Sequence, residues 1–178
     1  MTYFPNVLNY EIVNYDTTDV VGVGERLPFR DGVFDAIISN AVLERVYDPL
    51  QCAREIFRVL KPGGMLMVCV PFLQPEHGYP HHYFNMSGEG LRTLFERYGL
   101  RCIRQSVPGN NTPIFALSWI VHSWADGLEG ETRERFLGLS LRDLLRNPAE
   151  FLSEPWVVSL TEKKNFELAS ATYSEFLK

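Results

Sequence analysis

The stretch 34–71 carries the most regular pattern of apolar and polar positions in the chain. Phe34 to Ser39 form a short, mostly apolar run that is typical of a buried strand. Asp48, followed by proline, predicts a helix start, and the apolar residues after it recur with helical spacing. Lys61 to Gly64 predict the helix end, and Met65 to Val70 a second buried strand. This order predicts a βαβ unit with a right-handed crossover.

The flanks of this unit carry weaker patterns. Val7 to Val13 and Asp19 to Val23 have the composition of strands. Ser87 predicts the start of a helix that ends near Gly99, and Arg101 to Val107 show partial strand alternation. The first 107 residues therefore predict a mixed α/β core.

The pattern becomes helical after residue 108. Pro113 to Ala125 are apolar on almost every side, which predicts a helix that covers the site or contacts a partner. Glu131 to Arg146 predict one amphipathic helix, which Asn147-Pro148 ends. The segment from Phe166 to Lys178 is compatible with a helix.

Composition narrows the class of protein. The 178 residues suit one domain, and the 46% of apolar residues exclude a disordered chain. No apolar run approaches the ~20 residues of a membrane span, and the net charge of −5 does not favour nucleic acid. The first residues lack the basic start of a signal peptide. Together with three cysteines, an odd number that indicates reduced thiols, this predicts a cytoplasmic protein.

Three short motifs, in this order, resemble the class I S-adenosylmethionine-dependent methyltransferases of the small-molecule type. They are Leu27-Pro28-Phe29, Phe34-Asp35 and Arg58 to Gly64, and the similarity extends from about Tyr3 to Ser106. The resemblance implies a Rossmann-like α/β sheet in three layers, with S-adenosylmethionine as cofactor and a small molecule as methyl acceptor. It makes the unit at 34–71 the fourth strand, the next helix and the fifth strand of a seven-stranded sheet.

The resemblance also implies cofactor-binding residues. Glu11 stands where the family has an acidic residue that binds both ribose hydroxyls, and a carboxylate can accept both bonds. Val23 replaces the family's acidic adenine acceptor, so that contact passes to the backbone of Gly24 and Glu25. The methionine end of the cofactor is expected at Asn40, Ala41 and Val42.

The loop from Pro71 to Asn85 resembles the family's substrate-side loop. It offers His77, His81, His82 and Tyr83 as candidates for acceptor chemistry. His81 and His82 replace two aspartates of the family, and Arg45 replaces a histidine in the preceding turn. Three histidines in one loop also suggest a metal site. Their spacing does not match a known metal-binding motif, so no metal is predicted. The alternative is that these rings are solvated or packed on Tyr79 and Tyr83.

The family's first strand and glycine-rich turn would lie before Tyr3. Their loss predicts a truncated sheet with a gap between the second and fourth family strands, which a rearrangement, a homodimer or a partner subunit must close. It also predicts that S-adenosylmethionine binds weakly or not at all. Two functions stay open: a small-molecule methyltransferase, or a catalytically inactive methyltransferase-like module for binding or assembly.

The predicted organisation is a single domain over residues 1–178. Residues 1–107 form the partial Rossmann-like core, and 108–165 a helical cap or interface segment. The resemblance favours a last antiparallel strand within 166–178, through Leu168 to Tyr173, over the helical alternative.

Overall fold

The computed structural model describes residues 6–78, 81–170 and 174–175. The chain divides into two compact units, with the first spanning residues up to 72 and from 78 to 106. The second contains residues 73–77 and everything from 107 onwards. The division at 106/107 lies beside the predicted end of the α/β core, whereas the single domain stays a prediction.

The first unit contains parallel strand pairs and two helices. Its strands are β1 (Tyr10–Glu11), β2 (Val20–Val21), β3 (Phe34–Asn40) and β4 (Leu60–Cys69), and its helices are α1 (Pro49–Val59) and α2 (Gly88–Glu96). β1 pairs in parallel with β2, and β3 in parallel with β4. The predicted α/β fold class is confirmed.

The predicted βαβ unit is present as β3, α1 and β4. Asp48 caps α1 by accepting a hydrogen bond from the Gln51 N–H at 3.0 Å. The helix ends at Val59, just before the predicted stop at Lys61 to Gly64, but β4 follows at once and starts five residues earlier than expected. Its pairing with β3 is irregular between Phe34 and Ala36, because Lys61 to Gly64 are accommodated there.

One face of the β3–β4 sheet forms the core of the first unit. Ile37, Leu66 and Val68 pack against a buried cluster supplied by the turn after β3 and by both helices, namely Leu43, Val46, Cys52, Ala53, Ile56, Leu94 and Phe95. The opposite face is exposed, with Ile38 at 71%. Within the described residues, helices therefore cover this sheet on one side.

The two strand pairs are separate sheets. No ladder joins β1 to β3 among the residues described, so the structure has a break where the sequence predicts a gap. β1 and β2 are also shorter than predicted, at two residues each. The predicted strand at 101–107 is wrong, because Ile103 and Val107 remain 73% and 67% exposed and gain no burial from pairing.

The second unit is helical. It contains α3 (Pro113–Asp126), α4 (Gly130–Leu137), α5 (Leu141–Leu144), α6 (Pro155–Val158) and α7 (Glu162–Leu168), with two short 3₁₀ turns at Gly109–Asn111 and Pro148–Phe151. Its core consists of Ala125, Leu128, Phe136, Trp156 and Leu160. The apolar helix predicted from Pro113 is confirmed, although Ile114 and Phe115 at its start are exposed.

Two predictions in this unit need correction. The single amphipathic helix over 131–146 is two helices, because α4 ends at Leu137, with Gly138 as its C-cap, and Ser140 starts α5 through a reciprocal capping box with Asp143. The predicted last strand through Leu168 to Tyr173 does not form in its described part, because Leu168 is the last residue of α7. Residues 171–173 lie outside the described residues.

Candidate functional site at the carboxyl ends of the parallel strands

The turn after β3 presents three predicted cofactor residues side by side. Asn40 ends the strand, and Ala41 adopts a left-handed conformation with φ 54°. Such a conformation costs a non-glycine residue about 1–2 kcal/mol, and here a hydrogen bond from its N–H to the Cys69 carbonyl at 3.1 Å holds it. Asn40, Ala41 and Val42 are all exposed. The turn thus offers an accessible surface at the carboxyl end of a parallel pair, where open α/β sheets bind ligands.

Glu44, three residues after Ala41, is a functional candidate that the sequence analysis missed. It is fully buried, and among the described residues neither of its carboxylate oxygens has a hydrogen-bond partner. The nearest cation is the Arg45 guanidinium, whose Nε lies 3.7 Å from Oε1. The available signal was the pair of charged residues, Glu44 and Arg45, inside the otherwise apolar run from Ala41 to Val46.

Residues 44 and 45 also hold the loop that follows β4. The Glu44 carbonyl accepts hydrogen bonds from the N–H groups of Tyr83 at 2.6 Å and Phe84 at 3.3 Å. The Arg45 guanidinium lies over Gly78, where an added Cβ would be 2.7 Å from Nη1. Gly78 has φ +97°, a conformation that favours glycine, whereas the guanidinium is the end of a flexible side chain that could move away from an added Cβ. Arg45, which replaces the family histidine, therefore packs on the loop.

Glu11 ends β1 with an available carboxylate. The residue is half-buried, and its side chain makes no hydrogen bond to another residue in the described part of the chain. Its carbonyl accepts from the Gly22 N–H at 2.9 Å, which fixes the strand end. The position is therefore compatible with the ribose contact that the sequence predicts.

Gly24 and Glu25 have structural roles that the sequence did not indicate. A Cβ at Gly24 would lie 2.8 Å from the Cys52 sulfur, so the backbone after β2 packs directly on α1. Glu25 Oε1 accepts from the N–H groups of Tyr47 at 2.9 Å and Asp48 at 3.4 Å, at the amino end of the same helix. Their predicted backbone contacts to adenine stay a prediction.

The loop histidines have individual contacts. The His81 ring stacks on Tyr83 with centroids 5.2 Å apart, as the packing alternative describes. His82 Nε2 lies 2.8 Å from the Asn85 side-chain oxygen. His77 belongs to the second unit, where Nδ1 lies 2.8 Å from the Pro75 carbonyl and the ring lies 4.8 Å from that of Trp119. The role of these residues in acceptor chemistry stays a prediction, and Tyr79 lies outside the described residues.

No metal-binding group is found in the described residues: none of their His, Cys, Asp and Glu side chains form a cluster of three. The same residues contain no helix with the length and apolar character needed to cross a membrane.

Two of the sequence motifs, Leu27-Pro28-Phe29 and the one that begins at Arg58, contact each other in the structure. Arg58 near the end of α1 donates to the carbonyls of Leu27 at 3.0 Å and Phe29 at 2.8 Å, and to Asp31 at 2.7 Å. Glu55 accepts from the Leu27 N–H at 2.9 Å, and the hydrogen bond from Arg58 lowers the pKa of its carboxyl group. The backbone of Leu27-Pro28-Phe29 is therefore held against α1 by hydrogen bonds to Arg58 and Glu55, which form an ion pair with each other.

Cys52 is a packing residue of this core. Burial is the main cause that raises the pKa of its thiol to about 12, and the nearby Glu25, Glu55 and Asp48 carboxylates add to it. A thiol with that pKa stays protonated at neutral pH and is a poor nucleophile.

Comparison with known proteins identifies the family. A model described as a methyltransferase domain matches residues 4–68, which include β1, β2, β3 and most of β4. The demethylmenaquinone methyltransferase of Mycolicibacterium vanbaalenii is 30% identical over 128 residues, which are 70% of this chain and 51% of that protein. The protein of the same name from Streptomyces griseus is 31% identical over 108 residues, covering 59% of this chain and 42% of that one.

Among solved structures, a SAM-dependent methyltransferase from Thermotoga maritima, described as a possible histamine N-methyltransferase, gives a TM-score of 0.41 at 30% identity. That similarity covers 47% of this chain and 45% of the other. The chain spans about half the length of the curated relatives that it matches. On the match over residues 4–68 and the similarity to these relatives, the chain belongs to the class I S-adenosylmethionine-dependent methyltransferases.

Proposed function

We propose that this chain carries part of the cofactor site of an S-adenosylmethionine-dependent methyltransferase that acts on a small molecule. The observation that carries the proposal is the exposed turn at Asn40, Ala41 and Val42, at the carboxyl end of β3 and inside the matched segment. The available Glu11 carboxylate at the end of β1 adds support, because it lies in the same segment.

The residues present fit the cofactor in part. Glu11 would accept hydrogen bonds from the ribose hydroxyls, and the turn from Asn40 to Val42 would contact the methionine end. The cofactor, when bound, supplies an activated methyl group. Val23 offers no acceptor for adenine, and the Glu25 carboxylate already holds the start of α1. These features support a weak site in this chain alone.

The role of the protein in the reaction would be to position the acceptor and exclude water. The loop residues His81, His82 and Tyr83 are the candidates on the first unit, and His77 is a candidate on the second. The contacts of Glu44 and Arg45 with the loop would hold its first-unit part at the turn after β3.

Demethylmenaquinone is the first acceptor to test. Two relatives at about 30% identity carry that substrate in their names. The exposed rings of Tyr47 and Tyr83, which meet edge to face at 5.7 Å, would suit an apolar acceptor.

The second candidate is a methyltransferase-like module that binds or assembles without catalysis. It is favoured by the break between the β1–β2 and β3–β4 sheets, because a divided sheet does not hold Glu11 and Asn40 in one continuous surface. In this case the chain would keep its fold without measurable methyl transfer.

Calorimetric titration with S-adenosylmethionine separates the two. We expect a dissociation constant near the millimolar range for the chain alone, and a further loss of about ten- to a hundredfold in Glu11→Ala. A charge-assisted hydrogen bond contributes roughly 1.5–3 kcal/mol, and each tenfold in affinity is about 1.4 kcal/mol.

Asp16→Ala is the matched control, because it removes an exposed carboxylate from the neighbouring loop. Binding that Glu11→Ala and Asp16→Ala leave equally unchanged would contradict the assigned site. The absence of any heat at millimolar cofactor would favour the inactive module.

A further inference from the structure

Four aromatic side chains of the first unit meet at its surface, and we call them the ring cluster: Tyr47, His81, Tyr83 and Phe84. The Tyr83 ring meets the Tyr47 ring edge to face, with centroids 5.7 Å apart. The His81 ring stacks on Tyr83 at 5.2 Å, and the Phe84 ring lies tilted at 6.2 Å. Tyr47 is 78% exposed, and Tyr83 and Phe84 are each 40% exposed. The rings are therefore accessible to a ligand.

The backbone of Glu44 holds two of these residues. Its carbonyl accepts hydrogen bonds from the N–H groups of Tyr83 at 2.6 Å and Phe84 at 3.3 Å. The carboxylate of the same residue is fully buried, and no group of the described residues donates a hydrogen bond to it. Buried charges are normally paired, because an uncompensated one costs several kcal/mol. The carboxylate of Glu44 thus favours a positively charged group nearby.

Two further carboxylates lie at Tyr47. Glu25 Oε1 accepts a hydrogen bond from the Tyr47 N–H at 2.9 Å. Asp48, the next residue, accepts one from the Gln51 N–H at 3.0 Å. Both donors are neutral amides, and within the described residues neither carboxylate forms an ion pair. Both negative charges therefore act on the surroundings of Tyr47.

Arg45 compensates this charge only in part. Its Nε lies 3.7 Å from Glu44 Oε1, which is beyond hydrogen-bond distance, and its side chain is 39% exposed. The guanidinium lies over the backbone at Gly78. Three carboxylates, those of Glu25, Glu44 and Asp48, are thus set against one guanidinium. The surroundings of the ring cluster carry a net negative charge.

We propose that the ring cluster, with the Glu44 carboxylate beneath its backbone, binds an organic ammonium ion. The faces of aromatic rings attract such cations, and clusters of exposed rings are typical sites for quaternary and methylated amines. An uncharged apolar molecule would also contact the rings, but it would gain nothing from the three carboxylates. The site goes beyond methyl transfer, because it needs no cofactor. An apolar acceptor that contacts Tyr47 and Tyr83 would compete with the ammonium ion.

The test compares choline with the alcohol in which a carbon atom replaces its quaternary nitrogen, so that the two probes differ in charge and not in shape. Nuclear magnetic resonance of the ¹⁵N-labelled full chain, without cofactor, measures both affinities. We expect a dissociation constant in the millimolar range for choline, and about tenfold weaker binding of the alcohol. Choline should shift the N–H signals of residues 44–47 and 81–84.

Two variants test the parts of the site. Tyr47→Leu removes one ring and keeps an apolar side chain, so it should weaken choline binding about three- to tenfold. Tyr15→Leu is its matched control, because Tyr15 is a 58% exposed tyrosine of the same unit outside the ring cluster. Glu44→Gln removes a charge at constant shape, so it should weaken choline about tenfold and leave the affinity for the alcohol unchanged.

Four results would overturn the proposal: no choline binding at millimolar concentration, equal affinities for choline and the alcohol, equal effects of the Tyr47 and Tyr15 variants, or unchanged choline affinity in a folded Glu44→Gln variant. Circular dichroism checks the folding of each variant. If Glu44→Gln does not fold, the comparisons of the two probes and of the two tyrosine variants still decide. Because no S-adenosylmethionine is present, a failure here is distinct from a failure of the methyltransferase proposal.

Discussion

Gly24, which follows β2, packs closely against α1. The substitution Gly24→Ala therefore tests the packing that positions the site. The new Cβ would lie 2.8 Å from the Cys52 sulfur and 3.4 Å from the Val46 Cγ1 atom. Cys52 is only 1% exposed and sits inside the core cluster, so the sulfur has little room to move. Overpacking of this kind costs about 1–3 kcal/mol, and we expect Gly24→Ala to lower the free energy of unfolding by that amount.

A second substitution tests the cause. Cys52→Ala removes the contacting sulfur, so in the double variant most of the cost of Gly24→Ala should disappear. We expect a coupling of about 1–2 kcal/mol between the two positions, as for residues in direct contact.

Urea unfolding followed by circular dichroism and by tryptophan fluorescence measures these effects. The three tryptophans, at positions 119, 124 and 156, all lie in the second unit, so their signal serves as an internal control. We expect the loss of stability in the transition followed by circular dichroism, and no change in the transition followed by tryptophan fluorescence. Strictly additive effects of the two substitutions would refute the proposed contact.

Two further predictions concern titratable groups. Hydrogen bonding from Arg58 lowers the pKa of Glu55, so this pair stabilises the fold above the ordinary glutamate pKa, and that contribution is lost as the pH falls through the lowered value. Glu55→Gln should therefore flatten the acid side of the stability–pH profile, and an unchanged profile would contradict the assignment. Among the thiols, exposed Cys102 should react rapidly with a disulfide reagent at pH 8 while Cys52 is protected, because burial raises the pKa of Cys52 to about 12. Equal reaction rates in Cys102→Ser and Cys52→Ser variants would exclude this difference.

Local signals in the sequence were sufficient for the βαβ unit. The cap at Asp48, the helical spacing after it and the apolar run of β3 depend on residues that are close in the chain. The same holds for the start of α3 at Pro113. The two-residue strands β1 and β2 were overestimated, because their length depends on pairing partners rather than on composition.

The site depends more on long-range contacts. Glu25 holds backbone N–H groups more than twenty residues away in the chain, and no local pattern indicates this. Glu44 is buried because the loop at Tyr83 and Phe84 closes on its backbone, a tertiary effect. The break of the long amphipathic pattern into α4 and α5 was readable in principle, since Gly138 and Ser140 are a helix stop and a helix start.

Nuclear magnetic resonance of the ¹⁵N-labelled chain, titrated with S-adenosylmethionine, tests the central claim most directly. The method detects millimolar affinities and assigns them to residues. The proposed site predicts shift changes at Glu11 and at Asn40, Ala41 and Val42, which Glu11→Ala reduces and Asp16→Ala does not. Shift changes confined to the helical second unit, or none with cofactor at about 10 mM, a concentration that fills most of a millimolar site, would contradict it.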